Sequence, residues 1–177
     1  MTVMGFRWRW MGVMAALVVV LGVGCSGSDC DCPCGPGWHP VESPASNAGK
    51  VTISQGIWGD VWFWKGDFMP GCPNGTITAV ARELRIHELT NWEQVDHVPH
   101  RSTFFTAIHT PLVATVHSDD TGFFEVELPP GSYSLFSVED TLFYSPGGDG
   151  VGNIFPVLVK EGEVADGHFN ITYMSAY

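Results

Sequence analysis

The sequence predicts an all-β fold, a single β-sandwich of about seven to nine antiparallel strands. Short segments that alternate apolar and polar residues recur from Lys50 onward, and this alternation is the period of a half-buried strand. Clusters of Gly, Pro, Asn and Asp separate these segments at intervals of about eight to twelve residues, a spacing typical of sandwiches. No long segment has a helical period, so helices are expected to contribute little.

The stretch from His117 to Glu139 is the centre of this prediction. Turn-forming residues 118–122 precede an alternating segment at 123–128. Pro129, Pro130 and Gly131 then end that strand, because proline cannot donate to a β-ladder and glycine tolerates positive φ. A second alternating segment follows at once. Two such segments joined by a short turn predict an antiparallel hairpin.

The same alternation predicts the remaining strands, at residues 51–54, 59–65, 79–89, 102–109, 112–117, 141–144, 154–160 and 164–173. Residues 79–89 also have helical propensity, but Val80, Leu84 and Ile86 share one parity and therefore favour a strand. Residues 90–93 have the spacing of a capping box, which predicts one helical turn running through Val95.

Residues 1–24 are predicted to be a lipoprotein signal peptide. Arg7 and Arg9 precede an apolar run at 11–23, which is too short to span a bilayer and has the length of a signal-peptide core. Gly24-Cys25 at its end resembles a bacterial lipobox, although Gly22 stands where leucine is usual. In a lipobox the cysteine is diacylated and becomes the first residue, so Cys25 is the predicted lipid site. The alternative is an ordinary secretory signal cleaved nearby.

Residues 25–48 are rich in Cys, Gly, Pro and Ser and predict a flexible tether. Outside the cytoplasm disulfides persist, so Cys30, Cys32, Cys34 and Cys72 are predicted to form two bridges with three alternative connectivities. The Cys-x-Cys-x-Cys spacing of Cys30, Cys32 and Cys34 differs from the Cys-x-x-Cys spacing of zinc sites. The folded domain is then expected at 49–177.

The composition of the chain is strongly acidic. The net charge is −11, and removal of residues 1–24 takes away two arginines and no acid, which leaves −13. This balance argues against nucleic acid as a partner, because nucleic-acid binding needs basic patches. The predicted contact with the membrane is therefore the lipid anchor.

A set of residues in the central stretch resembles the carboxypeptidase regulatory-like domain, a prealbumin (transthyretin)-like β-sandwich. The matching residues are Ser118, Asp119, Gly122, Phe124, Pro130, Gly131, Tyr133 and Leu135. Segments such as WFWKGDFMPG (62–71) and RELRIHELTN (82–91) further resemble small bacterial envelope lipoproteins that carry this domain. The resemblance implies a non-catalytic module, since the catalytic residues of carboxypeptidases lie in a separate domain. Ser26 follows the lipid cysteine where some inner-membrane lipoproteins carry Asp, which implies the outer membrane.

Two groups of residues are candidates for binding. His97 and His100 form the densest histidine group, but a catalytic zinc needs about three converging ligands, so no metal or other cofactor is expected. Trp62 and Trp64 share one face of a predicted strand. Core packing is expected for at least half of the aromatic residues in this region, and the alternative is an exposed aromatic surface that binds an envelope protein or glycan. Nucleophile elbows and phosphate-binding loops are absent from the sequence. The sequence therefore predicts a structural or binding module; the alternative is a metal- or carbohydrate-binding lipoprotein.

Overall fold

The computed structural model describes residues 39–177. In this part of the chain, strands dominate, and they form two sheets of five and seven strands. The predicted all-β sandwich is thus confirmed. The strands are β1 (Gly56–Asp67), β2 (Thr76–Ala79), β3 (Glu83–Glu88), β4 (Val95–Val98), β5 (Arg101–Ile108), β6 (Leu112–His117), β7 (Phe123–Glu127), β8 (Gly131–Glu139), β9 (Leu142–Tyr144), β10 (Pro156–Val159), β11 (Val164–Asp166) and β12 (Phe169–Ala176).

Local details differ from the prediction in three places. Residues 51–54 form no strand; instead, the backbone N–H of Thr52 donates to the carboxylate of Glu125 on β7. The predicted strand at 164–173 is divided into β11 and β12, which helps to bring the strand count above the predicted number. The capping box begins one residue later than predicted, with Asn91 as its N-cap and a 3₁₀ turn at Trp92–Gln94.

The five-stranded sheet is centred on β1. On one side, β1 pairs with β7 and β2 in antiparallel orientation. On its other side, β1 pairs with β11 and β12 in parallel orientation. These two parallel pairs depart from the predicted antiparallel arrangement, which holds for the other pairings of the described residues.

The predicted hairpin between β7 and β8 is wrong. β7 pairs with β1 in the five-stranded sheet, whereas β8 pairs with β3, β9 and β10 in the seven-stranded sheet. The two prolines therefore carry the chain from one sheet to the other. Tyr133 fixes this crossing, because its hydroxyl donates to the carbonyl oxygen of Pro129 at 2.9 Å, a contact similar to the tyrosine corner of other sandwiches.

Two apolar clusters fill the fold. The larger cluster lies between the sheets and includes Ile57, Val61, Leu84, Ile86, Phe104, Phe124, Leu135, Tyr144, Phe169 and Ile171, all buried. The smaller cluster contains Val95, Phe105, Phe136 and Ile154. Phe105 and Phe136 each follow a residue of the larger cluster, and successive strand residues point to opposite faces. The smaller cluster therefore lies on the outer face of the seven-stranded sheet.

Candidate functional site

The outer face of β1 carries a row of aromatic residues interrupted by one acid. Trp58, Asp60, Trp62 and Trp64 alternate with residues that pack into the core, such as Val61. The alternation follows from the period of two along a strand. These four side chains therefore share the solvent side of the five-stranded sheet, and they define the candidate site.

Asp60 is fully buried although it lies on this outer face. Its Oδ1 accepts a hydrogen bond from the side-chain amide of Asn47 at 2.6 Å, and its Oδ2 accepts one from the Asn47 backbone N–H at 3.2 Å. A buried carboxylate is costly unless its oxygens are hydrogen-bonded. Asn47 therefore both covers and satisfies Asp60, and the N-terminal segment is fastened to the sheet at this point.

His168 lies between two tryptophans beside Asp60. Its ring centroid is 5.4 Å from that of Trp58 and 5.5 Å from that of Trp62. The backbone N–H of Asp60 lies 3.3 Å from His168 Nδ1, and the same ring nitrogen lies 3.5 Å from Asp60 Oδ2. Asp60 and His168 thus connect Asn47 and β1 to the residue that precedes β12.

A second contact holds the same segment to the turn before β7. Lys50 Nζ lies 2.6 Å from the hydroxyl oxygen of Thr121 and 3.2 Å from Asp119 Oδ2. Hydrogen bonds from the Thr121 hydroxyl, from backbone amides and from Lys50 lower the pKa of Asp119 to about 2. The side-chain amide of Asn47 also donates to the carbonyl oxygen of Thr121 at 2.9 Å. The end of the predicted tether is thus part of the folded domain.

The burial pattern extends this docking toward the N-terminus. Val41, Pro44 and Asn47 are partly buried, whereas the residues between them are exposed. A spacing of three matches the three residues per turn of an extended polyproline-type chain, which turns the same side inward at every third residue. The segment therefore lies along the domain with one side against it.

Replacing Asn47 with alanine is expected to lower the free energy of unfolding by about 1.5–3 kcal/mol, because it leaves a buried carboxylate without its side-chain donor. Urea denaturation of the purified protein measures this change. Ser43→Ala is the matched control, since Ser43 is an exposed residue of the same segment. Equal stabilities of the two variants would contradict the role assigned to Asn47.

The predicted aromatic pair, Trp62 and Trp64, is partly buried. The indole N–H of Trp64 donates to Asn170 Oδ1 at 3.0 Å, and its ring contacts Phe68 at a centroid distance of 4.9 Å. The indole nitrogen of Trp62 is buried and has no hydrogen-bond partner within residues 39–177. The two tryptophans thus belong to one face, as predicted, and each is packed against neighbouring side chains.

The two predicted histidines lie at and next to β4, away from this face. His97 Nε2 is 3.0 Å from the carbonyl oxygen of Trp92, and its ring stacks on the indole at 5.9 Å. His100 has a φ of 61° in the turn before β5. Across residues 39–177, no three His, Cys, Asp or Glu side chains come together in a group that could hold a metal ion.

His87 is a buried histidine with a different environment. Its Nδ1 lies 2.9 Å from the carbonyl oxygen of Thr110, and burial is the main cause that lowers its pKa from the ordinary value of 6.5. The unfolded chain therefore binds a proton at a pH where folded His87 does not. The contribution of His87 to stability should fall as the pH drops below 6.5.

This pH dependence can be measured from urea denaturation midpoints at pH 7.5 and 5.5. His87→Gln should reduce the loss of stability between the two pH values. His39→Gln is the control, because His39 is exposed, and it should leave the loss unchanged. An equal loss of stability between pH 7.5 and 5.5 in wild type and His87→Gln would contradict the role proposed for His87.

The cysteine predictions fall mostly outside the described residues. Cys72 lies in the loop between β1 and β2 and is disulfide-bonded. Cys25, Cys30, Cys32 and Cys34 lie outside the described part of the chain, as do the predicted signal peptide and the first part of the predicted tether.

One groove was not anticipated from the sequence. It has a volume of about 420 Å³ and is lined by residues 91–93 and 151–153. Trp92 supplies an aromatic wall, while Asn91, Glu93 and Asn153 supply polar groups. The two sides are 60 residues apart, and an isolated bridge between Asn91 and Asn153 joins them. No local signal in the sequence reports such a pairing.

The Asn47–Asp60 contact was also missed, but a signal for it exists. Asp60 is an acid within a strand that is otherwise rich in aromatic and β-branched residues. Such a position requires a polar partner if it becomes buried. The sequence does not say where that partner lies, because Asn47 falls in a segment of linker composition.

No family model, no curated protein and no solved structure matches this chain. Among residues 39–177, no helix has the length and apolar character needed to cross a membrane.

Proposed function

We propose that this chain is a non-catalytic, lipid-anchored protein of the cell envelope, and that its sandwich is a carboxypeptidase regulatory-like domain serving as a structural or binding module. The observation that supports this proposal is the fastening of the N-terminal segment at Asn47 and Lys50. This segment connects the domain to Cys25, the proposed acylation site. In a protein anchored to a membrane through its N-terminus, mechanical force on the anchor passes through this segment. The contacts of Asn47 and Lys50 would transfer that force to β1 and to the turn between β6 and β7.

Acylation is tested with the full chain and its Cys25→Ala variant. The wild-type protein should partition into the detergent phase, and its intact mass should correspond to a chain that begins at Cys25 and carries acyl chains. Cys25→Ala should lose both properties while keeping its circular dichroism spectrum. A wild-type chain cut elsewhere and free of lipid would overturn the anchor.

The proposed location is the outer membrane. Separation of inner and outer membranes by density should find the wild-type protein in the outer-membrane fraction, and Ser26→Asp should move it to the inner membrane. Ser43→Ala is the control, because it changes a serine of the same segment farther from the anchor. Wild-type protein in the inner-membrane fraction would contradict this location.

A second candidate function is carbohydrate binding, and the Trp92 groove favours it. Within the described residues, Asn91 Nδ2, Asn153 Oδ1 and the Glu93 carboxylate make no hydrogen bond. A sugar presents apolar C–H faces and hydroxyl groups. The indole ring of Trp92 could pack against the C–H face, and the polar groups without a hydrogen bond could bind the hydroxyls. The pattern of this groove is thus complementary to a hydroxyl-rich ligand.

A glycan array probed with the wild-type protein tests this second function. Glu93→Gln should weaken binding about tenfold or more, because a hydrogen bond to a charged group contributes about 1.5–3 kcal/mol. Glu127→Gln is the control, since Glu127 is an exposed acid on β7. The absence of any bound glycan, or equal binding by both variants, would exclude the groove as a sugar site.

A further inference from the structure

An aromatic patch lies at one end of the outer face of β1. It consists of Trp64, Phe68, Met69 and Tyr177, and it is called the terminal patch below. The ring of Phe68 lies 4.9 Å from Trp64 and stacks on Tyr177 at 5.8 Å, measured between centroids. Met69 is 47% exposed and Tyr177 is 65% exposed. The patch therefore presents apolar and amphipathic side chains to the surroundings of the protein.

The first described residues of the chain lie next to this patch. Residues 39–42 form one wall of a groove of about 690 Å³, and residues 73–78 form the other. Gly75 belongs to the second wall, and the ring of Phe68 lies directly against it, in the space that a Cβ on Gly75 would fill. His39, where the described part of the chain begins, therefore lies beside the terminal patch.

The length of the chain between Cys25 and His39 limits how far the patch can be from the anchor. Cys25 and His39 are 14 residues apart in the sequence, so the fully extended chain spans at most roughly 50 Å. Tethering at this range gives a high effective concentration at the membrane, and a weak surface contact then suffices. Tryptophan and tyrosine are the residues that favour the interface between lipid and water, because their rings combine apolar and polar parts.

We propose that the terminal patch rests in the headgroup region of the bilayer that holds the acylated Cys25. The proposal rests on the lipid anchor proposed above. The contact is made by apolar and aromatic side chains. The net negative charge of the chain repels anionic lipid, so binding should be weaker on anionic than on zwitterionic membranes. The patch thus fixes the orientation of the sandwich, with the opposite end turned away from the membrane.

The test uses the full acylated protein reconstituted in phosphatidylcholine–phosphatidylethanolamine vesicles with brominated or ordinary acyl chains. Bromine quenches tryptophan fluorescence only at close range, and side chains at the interface lie within about 5–10 Å of the acyl boundary. Trp64→Phe should lower the quenched fraction, because it removes the tryptophan of the terminal patch. Trp92→Phe is the matched control and should leave the quenched signal unchanged, since Trp92 lines a different groove.

A second variant guards against a folding defect. Tyr177 lies outside β12 and is largely exposed, so Tyr177→Ser should keep the fold while reducing the quenching of Trp64. Equal quenching in wild type and Trp64→Phe, with the protein still bound to vesicles in flotation, would overturn the patch and leave the anchor intact. Failure of the wild-type protein to float would overturn the anchor and the patch together.

Discussion

Gly122→Ala is expected to lower the free energy of unfolding by about 2–4 kcal/mol, the sum of a backbone penalty and a steric one. Gly122 has a φ of +80°, and a Cβ added there would lie 2.6 Å from the carbonyl oxygen of Val61. The Gly122 carbonyl also accepts a hydrogen bond from the Val61 N–H at 2.8 Å. The clash therefore falls on a backbone contact that cannot rotate away.

Gly150→Ala separates the two penalties. Gly150 has nearly the same φ, +78°, but nothing lies within 4 Å of its added Cβ. It should lose only about 1–2 kcal/mol, the backbone penalty. Urea denaturation of the two variants and the wild type gives both values. Losses of the same size would mean that the close approach between Gly122 and Val61 carries no steric cost.

Phe136→Ala is expected to lower the free energy of unfolding by about 3–5 kcal/mol, the range for a fully buried phenylalanine. Phe136 has no exposed surface, and its ring meets Phe105 edge to face at 5.8 Å. The loss would show that the smaller cluster, which lies outside the two-sheet core, is a stabilising part of the fold.

Phe123→Ala is the control for this second prediction. Phe123 lies at the start of β7 and is only partly buried, so its removal should cost about 1–2 kcal/mol. Thermal and urea denaturation should rank the two variants in the same order. A loss at Phe136 no larger than the loss at Phe123 would mean that the smaller cluster is loosely packed.

The presence of strands could be predicted from the sequence because the signal is local. Residues 112–117 alternate in the sequence, and β6 occupies those positions. Strand pairing is not local, and this is why the hairpin prediction failed. β7 and β8 alternate as hairpin strands do, but the segment between them contains two prolines, and both flanking side chains, Leu128 and Tyr133, are buried in the shared core. A crossing between sheets and a tight turn leave the same pattern in the flanking strands.

The candidate site could be predicted only in part, for a similar reason. The common face of Trp62 and Trp64 follows from the period of a strand. The burial of Asp60 depends on Asn47, which lies 13 positions earlier in a segment of linker composition. The composition of a segment indicates whether its own side chains can form a hydrophobic core. It does not indicate whether the segment will pack against a domain formed by other residues.

The parallel pairing of β1 with β12 determines the order in which the domain can assemble. β1 lies near the start of the domain and β12 at its end. During synthesis, the central strand of the five-stranded sheet therefore keeps one edge unpaired until β11 and β12 have been made. Contacts between residues so distant in sequence form slowly, and an open strand edge is a site of aggregation. A shortened chain that lacks β12 would leave that edge open along residues 61–67, because β11 covers only residues 56–58. The eight residues of β12 therefore decide whether most of the first strand becomes protected.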